Sequence, residues 1–143
     1  MKLFNRFGEL GEQAMGNNVT VEWVDAGRIV IFRLKDGHRD SVDRWFEVVS
    51  EVFAEFPKDE PLLVMHDVRQ AGLGAYIREK STQLTPKAAH FKKGRYAVVI
   101  VDSALSHLVR LFLDVTSRYL TNRERRAFTD FDTALEWLRQ DQS

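Results

Sequence analysis

The stretch Arg126-Ala127-Phe128-Thr129-Asp130-Phe131-Asp132-Thr133-Ala134-Leu135-Glu136-Trp137-Leu138 constrains the fold of this chain more than any other. Its first residues suit a short strand. A carboxylate then stands where a helix N-cap belongs, because an acidic oxygen accepts from the free N–H groups of a first helical turn. Phe131, Ala134, Leu135, Trp137 and Leu138 follow at the spacing of a buried helix face. A strand passing directly into a closing amphipathic helix makes sense as the last unit of a βα alternation.

The chain ahead of it supplies that alternation. Leu3, Phe4, Phe7, Leu10 and Ala14 recur at roughly helical spacing until Gly16-Asn17-Asn18 stops them, so a short N-terminal helix is expected over 2–15. Gly8 and Gly11 weaken it. Val19, Val21 and Trp23 alternate with polar neighbours, Asp25-Ala26-Gly27 makes a turn, and 28–34 is β-rich, which together predict an antiparallel hairpin. Val42, Trp45, Phe46, Val49, Val52, Phe53 and Phe56 then trace one helical face, capped by Asp40 or Ser41 and ended by Pro57.

Residues 62–68 are almost unbroken in apolar character, as in a strand covered on both faces. A glycine-bearing loop follows, then a helix over 75–84 that Thr85-Pro86 is expected to break. Residues 96–101 form a second buried strand, and Asp102-Ser103 cap a helix over 104–120. Leu105, Leu108, Val109, Phe112 and Tyr119 give that helix a core stripe. Leu111, Leu113 and Val115 widen the stripe beyond one face. Such a helix needs cover from the N-terminal helix, a second subunit or an apolar ligand.

At 143 residues the chain is long enough for one substantial core. The expected division is an N-terminal helical extension, 1–18, and a single α/β domain, 19–143. Cysteine is absent, which excludes disulfides and cysteine-rich zinc sites and points to a reducing, cytoplasmic setting. The first residues are too polar for a signal peptide, and no apolar run is long enough to span a membrane. The net charge is zero but segregated: residues 80–126 carry 10 basic and 3 acidic side chains, and 80–101 carry no acid at all. That region either solvates one side of the domain or meets phosphate or an acidic partner. No nucleic-acid motif accompanies it, so no nucleic-acid partner is expected.

The order of elements resembles the STAS domain, the fold of bacterial anti-sigma-factor antagonists. It is closer to the SpoIIAA-like branch grouped with STAS/SEC14 proteins. The resemblance rests on the opening hairpin, the strand ending at Asp67, the strand from Arg95 to Val101 with a capped apolar helix after it, and the tail from Phe128 to Leu138. It covers about 19–138. It implies a mixed sheet of about five strands opening with a hairpin, with about four helices packed against it beside the short N-terminal helix. It also implies a regulatory or protein-interaction role without catalysis. One feature departs. The antagonists carry a phosphorylatable serine at the start of the helix after the third strand. Here that stretch is Gln70-Ala71-Gly72-Leu73-Gly74-Ala75-Tyr76, and no serine or threonine lies between Val68 and Lys80.

Candidate chemistry is sparse. Asp67 and Asp102 end two central strands, where open α/β sheets tend to bind ligands. They read either as a Mg²⁺ pair or as plain loop and helix caps. Ser103 and His107 lie one helical turn apart beside Asp102, but catalytic triads usually gather from separate elements. His38, His66, His90 and His107 lack metal-ligand spacing. His66 and Asp67 are strand neighbours and point to opposite faces. The loop glycines Gly72 and Gly74 either cradle an anion with backbone amides or serve a tight turn. The expected ligand- or partner-binding residues are therefore Asp67, Arg69, Gly72, Gly74, Tyr76 and Arg78, with Leu111, Leu113 and Val115 as interface or apolar cover. No catalytic group, metal or cofactor is expected. A homodimer is one expectation, and a carrier of a small apolar or anionic ligand, as the SEC14 grouping implies, is the alternative.

Overall fold

Strands form where the sequence alternates or runs apolar, and helices where the period lengthens. The computed structural model describes residues 11–91, 93–103 and 123–140. Among these, six strands build one sheet: β1 (Gln13–Ala14), β2 (Val19–Val24), β3 (Ile29–Leu34), β4 (Leu62–Asp67), β5 (Gly94–Val99) and β6 (Arg123–Phe128). Three helices are described, α1 (Arg39–Glu55), α2 (Ala75–Ala88) and α3 (Phe131–Arg139).

The strands lie side by side in chain order. β1 and β2 are antiparallel, as are β2 and β3, while β3 to β6 run parallel. The chain order never reverses within the parallel part. The sheet therefore lacks the switch-point crevice that places ligands beyond the strand ends of doubly wound proteins. α1 and α2 follow consecutive parallel strands, and the same crossover hand puts both on one face. Val30, Phe32, Val64 and Tyr96 meet α1 and α2 there. α3 closes the opposite face, with Ala134, Trp137 and Leu138 against Ile31, Met65, Ala97 and Val99. Its far end is tied to the hairpin turn, where Arg139 donates to both oxygens of Asp25 at 2.8 Å.

The tail behaves as its sequence implies. Asp130 caps α3, its carboxylate accepting from the Thr133 backbone N–H at 2.8 Å and from the Thr133 hydroxyl at 2.7 Å. Several expectations need correction. The sheet has six described strands rather than five, because Gln13–Ala14 adds a strand to the edge where a helix through residue 15 is expected. Two residues carry no periodicity, and only the β2 backbone makes them a strand. α2 runs through Pro86 to Ala88 instead of stopping at Leu84. Pro86 forfeits the N–H bond to the carbonyl four residues back, and the burial of Leu84 and Ala88 holds the last turn in place against that loss. α1 starts at Arg39 with His38 as N-cap and no side-chain cap bond. Neither Asp40 nor Ser41 caps it; Asp36 accepts from the His38 backbone N–H at 2.9 Å instead. The expected fourth helix, its cover residues Leu111, Leu113 and Val115, and most of the N-terminal helix lie outside the described residues.

Candidate functional site

The carboxyl end of β4 is occupied by an ion-pair cluster. Asp67 points to the α3 face. Its Oδ1 accepts from Arg69 Nε at 2.9 Å and its Oδ2 from Arg69 Nη2 at 2.8 Å. This is a bidentate pair, closed by the Arg69 backbone N–H at 3.3 Å. The register sets Arg33 directly opposite Asp67 across β3 and β4, with Arg33 Nε 4.0 Å from Oδ2. Arg33 also donates to Glu22 at 2.8 Å. Both guanidiniums lie over the Phe131 ring, 5.2 Å and 5.8 Å from its centre. The hydrogen bond to Asp67 is the largest cause that raises the Arg69 pKa above its ordinary value.

This cluster clamps the end of β4 to β3 and to the start of α3. A Mg²⁺ ion at Asp67 would have to displace Arg69 and sit against Arg33. No group of three His, Asp or Glu side chains suited to a metal occurs among the described residues. Asp67→Asn is expected to lower stability by about 1–3 kcal/mol, because two part-buried guanidiniums lose their shared anion. Urea melts of Asp67→Asn, Arg69→Gln and the double variant measure this, and strict additivity would show that the pair is not coupled.

The loop after β4 is a closed turn more than a cradle. The amides of Ala71 and Gly72 both donate to Val68 O, at 3.1 Å and 3.0 Å. Gly72 adopts φ 77°, which glycine takes without strain. Gly74 is extended and precedes α2 as its N-cap. Gly37 approaches this turn so closely that a Cβ there would meet Ala71 O at 2.8 Å. The loops before α1 and α2 are thereby held backbone to backbone.

Tyr76 belongs to a different surface, the outward seam between α1 and α2. Its hydroxyl donates to Asp43, which is the largest cause raising the Tyr76 pKa. Arg39 lies over the Tyr76 ring at 4.2 Å. Lys80 reaches the rings of Phe46 and Tyr76 at 4.8 Å and 5.6 Å, and Lys87 reaches Phe46 at 5.8 Å. Lys80 is also 4.0 Å from Asp43. Arg78 is exposed and, two residues from Tyr76, projects about 200° away from it around the helix. The six expected site residues therefore divide: Asp67 and Arg69 form the clamp, Gly72 and Gly74 shape the turn, Tyr76 joins the seam, and Arg78 stands apart. The spacings 39/43/46 and 76/80/87 were the available signal for the seam. Each is one helical face, but only packing shows that the two faces meet.

His66 lies on the opposite side of β4 from Asp67, as alternation requires. Its ring stacks on Phe32 at 5.4 Å and meets the edge of Trp45 at 5.4 Å. Burial first, and the Arg125 charge second, push its pKa down to about 4. Ser103 and Asp102 are exposed at the end of the β5 connection, while His107 lies outside the described residues.

No protein-family model matches the chain, and no curated protein matches it. One solved structure does: an uncharacterised protein of the DUF3478 family with a SpoIIAA-like fold, from Shewanella loihica PV-4. The two chains superpose with a TM-score of 0.56 over 92% of this chain and 98% of the other, at 17% identity. This fold is SpoIIAA-like. At that identity the likeness speaks for backbone architecture. Within the SpoIIAA-like frame the turn between β4 and α2 offers no hydroxyl, since Arg69 to Glu79 contain neither serine nor threonine.

Proposed function

We propose that this SpoIIAA-like chain is a non-catalytic interaction module with a regulatory role, and that its α1–α2 seam docks an acidic segment of a partner protein. The observation that carries this reading is the run Arg39, Tyr76, Lys80, Phe46 and Lys87. Its cations lie over aromatic rings along the outside of both helices. Three cations there outnumber two acids: Asp43, which already accepts from Tyr76, and Glu79, whose charge also acts on Tyr76. Ring faces hold the cationic stems in place, so less side-chain freedom is lost when an anion arrives. Phosphorylation at the β4–α2 turn is not part of this reading, because the turn lacks an acceptor. The clamp at Asp67 fits a structural role, which engages that acid with arginines, while Asp102 stands exposed beyond β5 without a partner group that would make it catalytic among the described residues.

Titration of ¹⁵N-labelled protein with a glutamate-rich peptide at low salt tests the proposal. Amide shifts are expected along the outer faces of α1 and α2. Lys80→Glu combined with Lys87→Glu should weaken binding roughly tenfold, since each exposed charge contributes up to about 1 kcal/mol. Added salt should weaken the wild-type complex in the same direction. Shifts that map to α3, or equal affinity in the double variant, would remove the seam as the docking face.

A further inference from the structure

The outside of α1 carries a second charge row beside the seam. Glu47, Glu51 and Glu55 recur one helical turn apart, so they form a ridge, and all three are exposed. Arg44 reaches Glu47 at 3.2 Å. Glu51 and Glu55 have no ion pair among the described residues. For an isolated helix the placement is unfavourable. Like charges one turn apart repel, and acids near a helix C-terminus meet the negative end of its dipole. No basic residue lies in the last turn of α1. Lys58, just beyond it, donates to the Phe53 and Phe56 carbonyls and not to the ridge. Glu51 and Glu55 therefore weaken α1 locally with no cation among the described residues to offset them. A local conflict of this kind marks a surface that serves something outside the fold.

The same molecule presents the complementary row. Lys80 and Lys87 lie along the seam, both reaching the Phe46 ring. Glu51 and Glu55 project roughly 140° and 180° away from Phe46 around α1, so ridge and lysines cannot meet within one chain. The two rows are alike in length: Lys80 and Lys87 are about 10 Å apart along α2, and Glu47 and Glu55 about 12 Å apart along α1. Contact with Phe46 also sets the lysines at the level of Glu47 and Glu51.

We propose that a second copy of this chain docks on this surface, the ridge of each copy lying over Lys80 and Lys87 of the other. A two-fold axis along the outside of α1 makes the two contacts identical, as an isologous dimer requires. Rotation about that axis keeps each residue at its level, which sets Glu47 and Glu51 against the lysines. Ala54, exposed and small, lies between ridge and seam and lets the two α1 helices approach. The dimer rests on the cationic seam proposed above and regulates it. It hides both seams, so an acidic partner segment docks only by displacing the ridge.

Sedimentation velocity of the full chain at low salt is expected to show a concentration-dependent monomer–dimer equilibrium, and high salt to shift it to monomer. Glu47→Lys with Glu51→Lys, and separately Lys80→Glu with Lys87→Glu, should each weaken association about tenfold or more. All four side chains lie on the outside of the helices, so both variants should fold, which circular dichroism checks. An equimolar mixture of the two variants should form a one-to-one heterodimer, because each ridge then meets a seam of opposite sign. A wild-type chain that stays monomeric up to millimolar concentration at low salt would overturn the dimer, as would a mixture that does not associate. The docking reading is judged separately. The ridge variant keeps its seam cations, so as a monomer it should bind the glutamate-rich peptide at least as tightly as wild type. If it ignores the peptide, the docking reading fails, whatever the mixture shows.

Discussion

Phe32→Ala is expected to cost about 3–5 kcal/mol, the usual range for removing a fully buried phenylalanine. Phe32 has no exposed surface and stands in the middle of the sheet. Its ring meets Phe53 of α1 edge-on at 6.5 Å and stacks on His66 at 5.4 Å. Alanine would leave a void bounded by a β-sheet and a helix, and neither can collapse into it. A domain of this size holds about 5–15 kcal/mol in total, so the variant should be marginal at 37 °C. Phe32→Leu keeps most of the volume and should lose about 1–1.5 kcal/mol. Urea unfolding of the three proteins gives the comparison. A loss below about 1 kcal/mol in the alanine variant would contradict the packing described for this face.

Acidification should destabilise the protein well before its carboxylates titrate. His66 has a pKa of about 4 in the folded chain against 6.5 for the ordinary group. Above the unfolded value both states carry a neutral ring, and the histidine contributes no pH dependence. Between the two values the unfolded chain takes up a proton that the folded chain refuses. Unfolding therefore becomes easier as pH falls, by up to about 1.4 kcal/mol per unit. The total loss by about pH 4 is about 2–3 kcal/mol, a little under the full conversion because part of the ring remains exposed. Carboxylates act in a different window. Thr20 is the largest cause lowering the Glu12 pKa below 4.5, and Arg139 the largest lowering that of Asp25 below 3.8. Their stabilisation is complete above their unfolded values and lost only as pH falls through lower ones. Urea midpoints between about pH 7.5 and 5 should therefore fall in wild type and stay nearly flat in His66→Phe. An equal slope in both would assign the effect to other groups.

The elements that sequence reading recovers are those fixed by local pattern. The α1 face from Val42 to Phe56, the apolar run of β4 and the capped α3 tail each declare themselves within one or two turns of chain. The short strand at Gln13–Ala14 is legible only from its partner β2, and the survival of α2 past Pro86 only from the core that holds Leu84 and Ala88. Asp67 was visible as a strand-end acid. Its engagement by Arg69 is a contact two residues away, while that by Arg33 depends on the β3–β4 register. His66 looked unremarkable because a lone histidine in an apolar run says nothing about the rings above it.

By itself, then, the sequence determined the order of the described strands and helices from β2 onward, the apolar face of α1 and α3, and the lack of a phosphorylatable hydroxyl between β4 and α2. These follow from periodicity and residue type, which are one-dimensional properties. Only the tertiary structure decided that the parallel strands lie in chain order without a crevice and that α1 and α2 share a face while α3 takes the other. It also decided that Asp67 is spent on arginines, and that the His66 ring packs between Phe32 and Trp45. Those outcomes depend on register and crossover hand, which pair residues far apart in the chain.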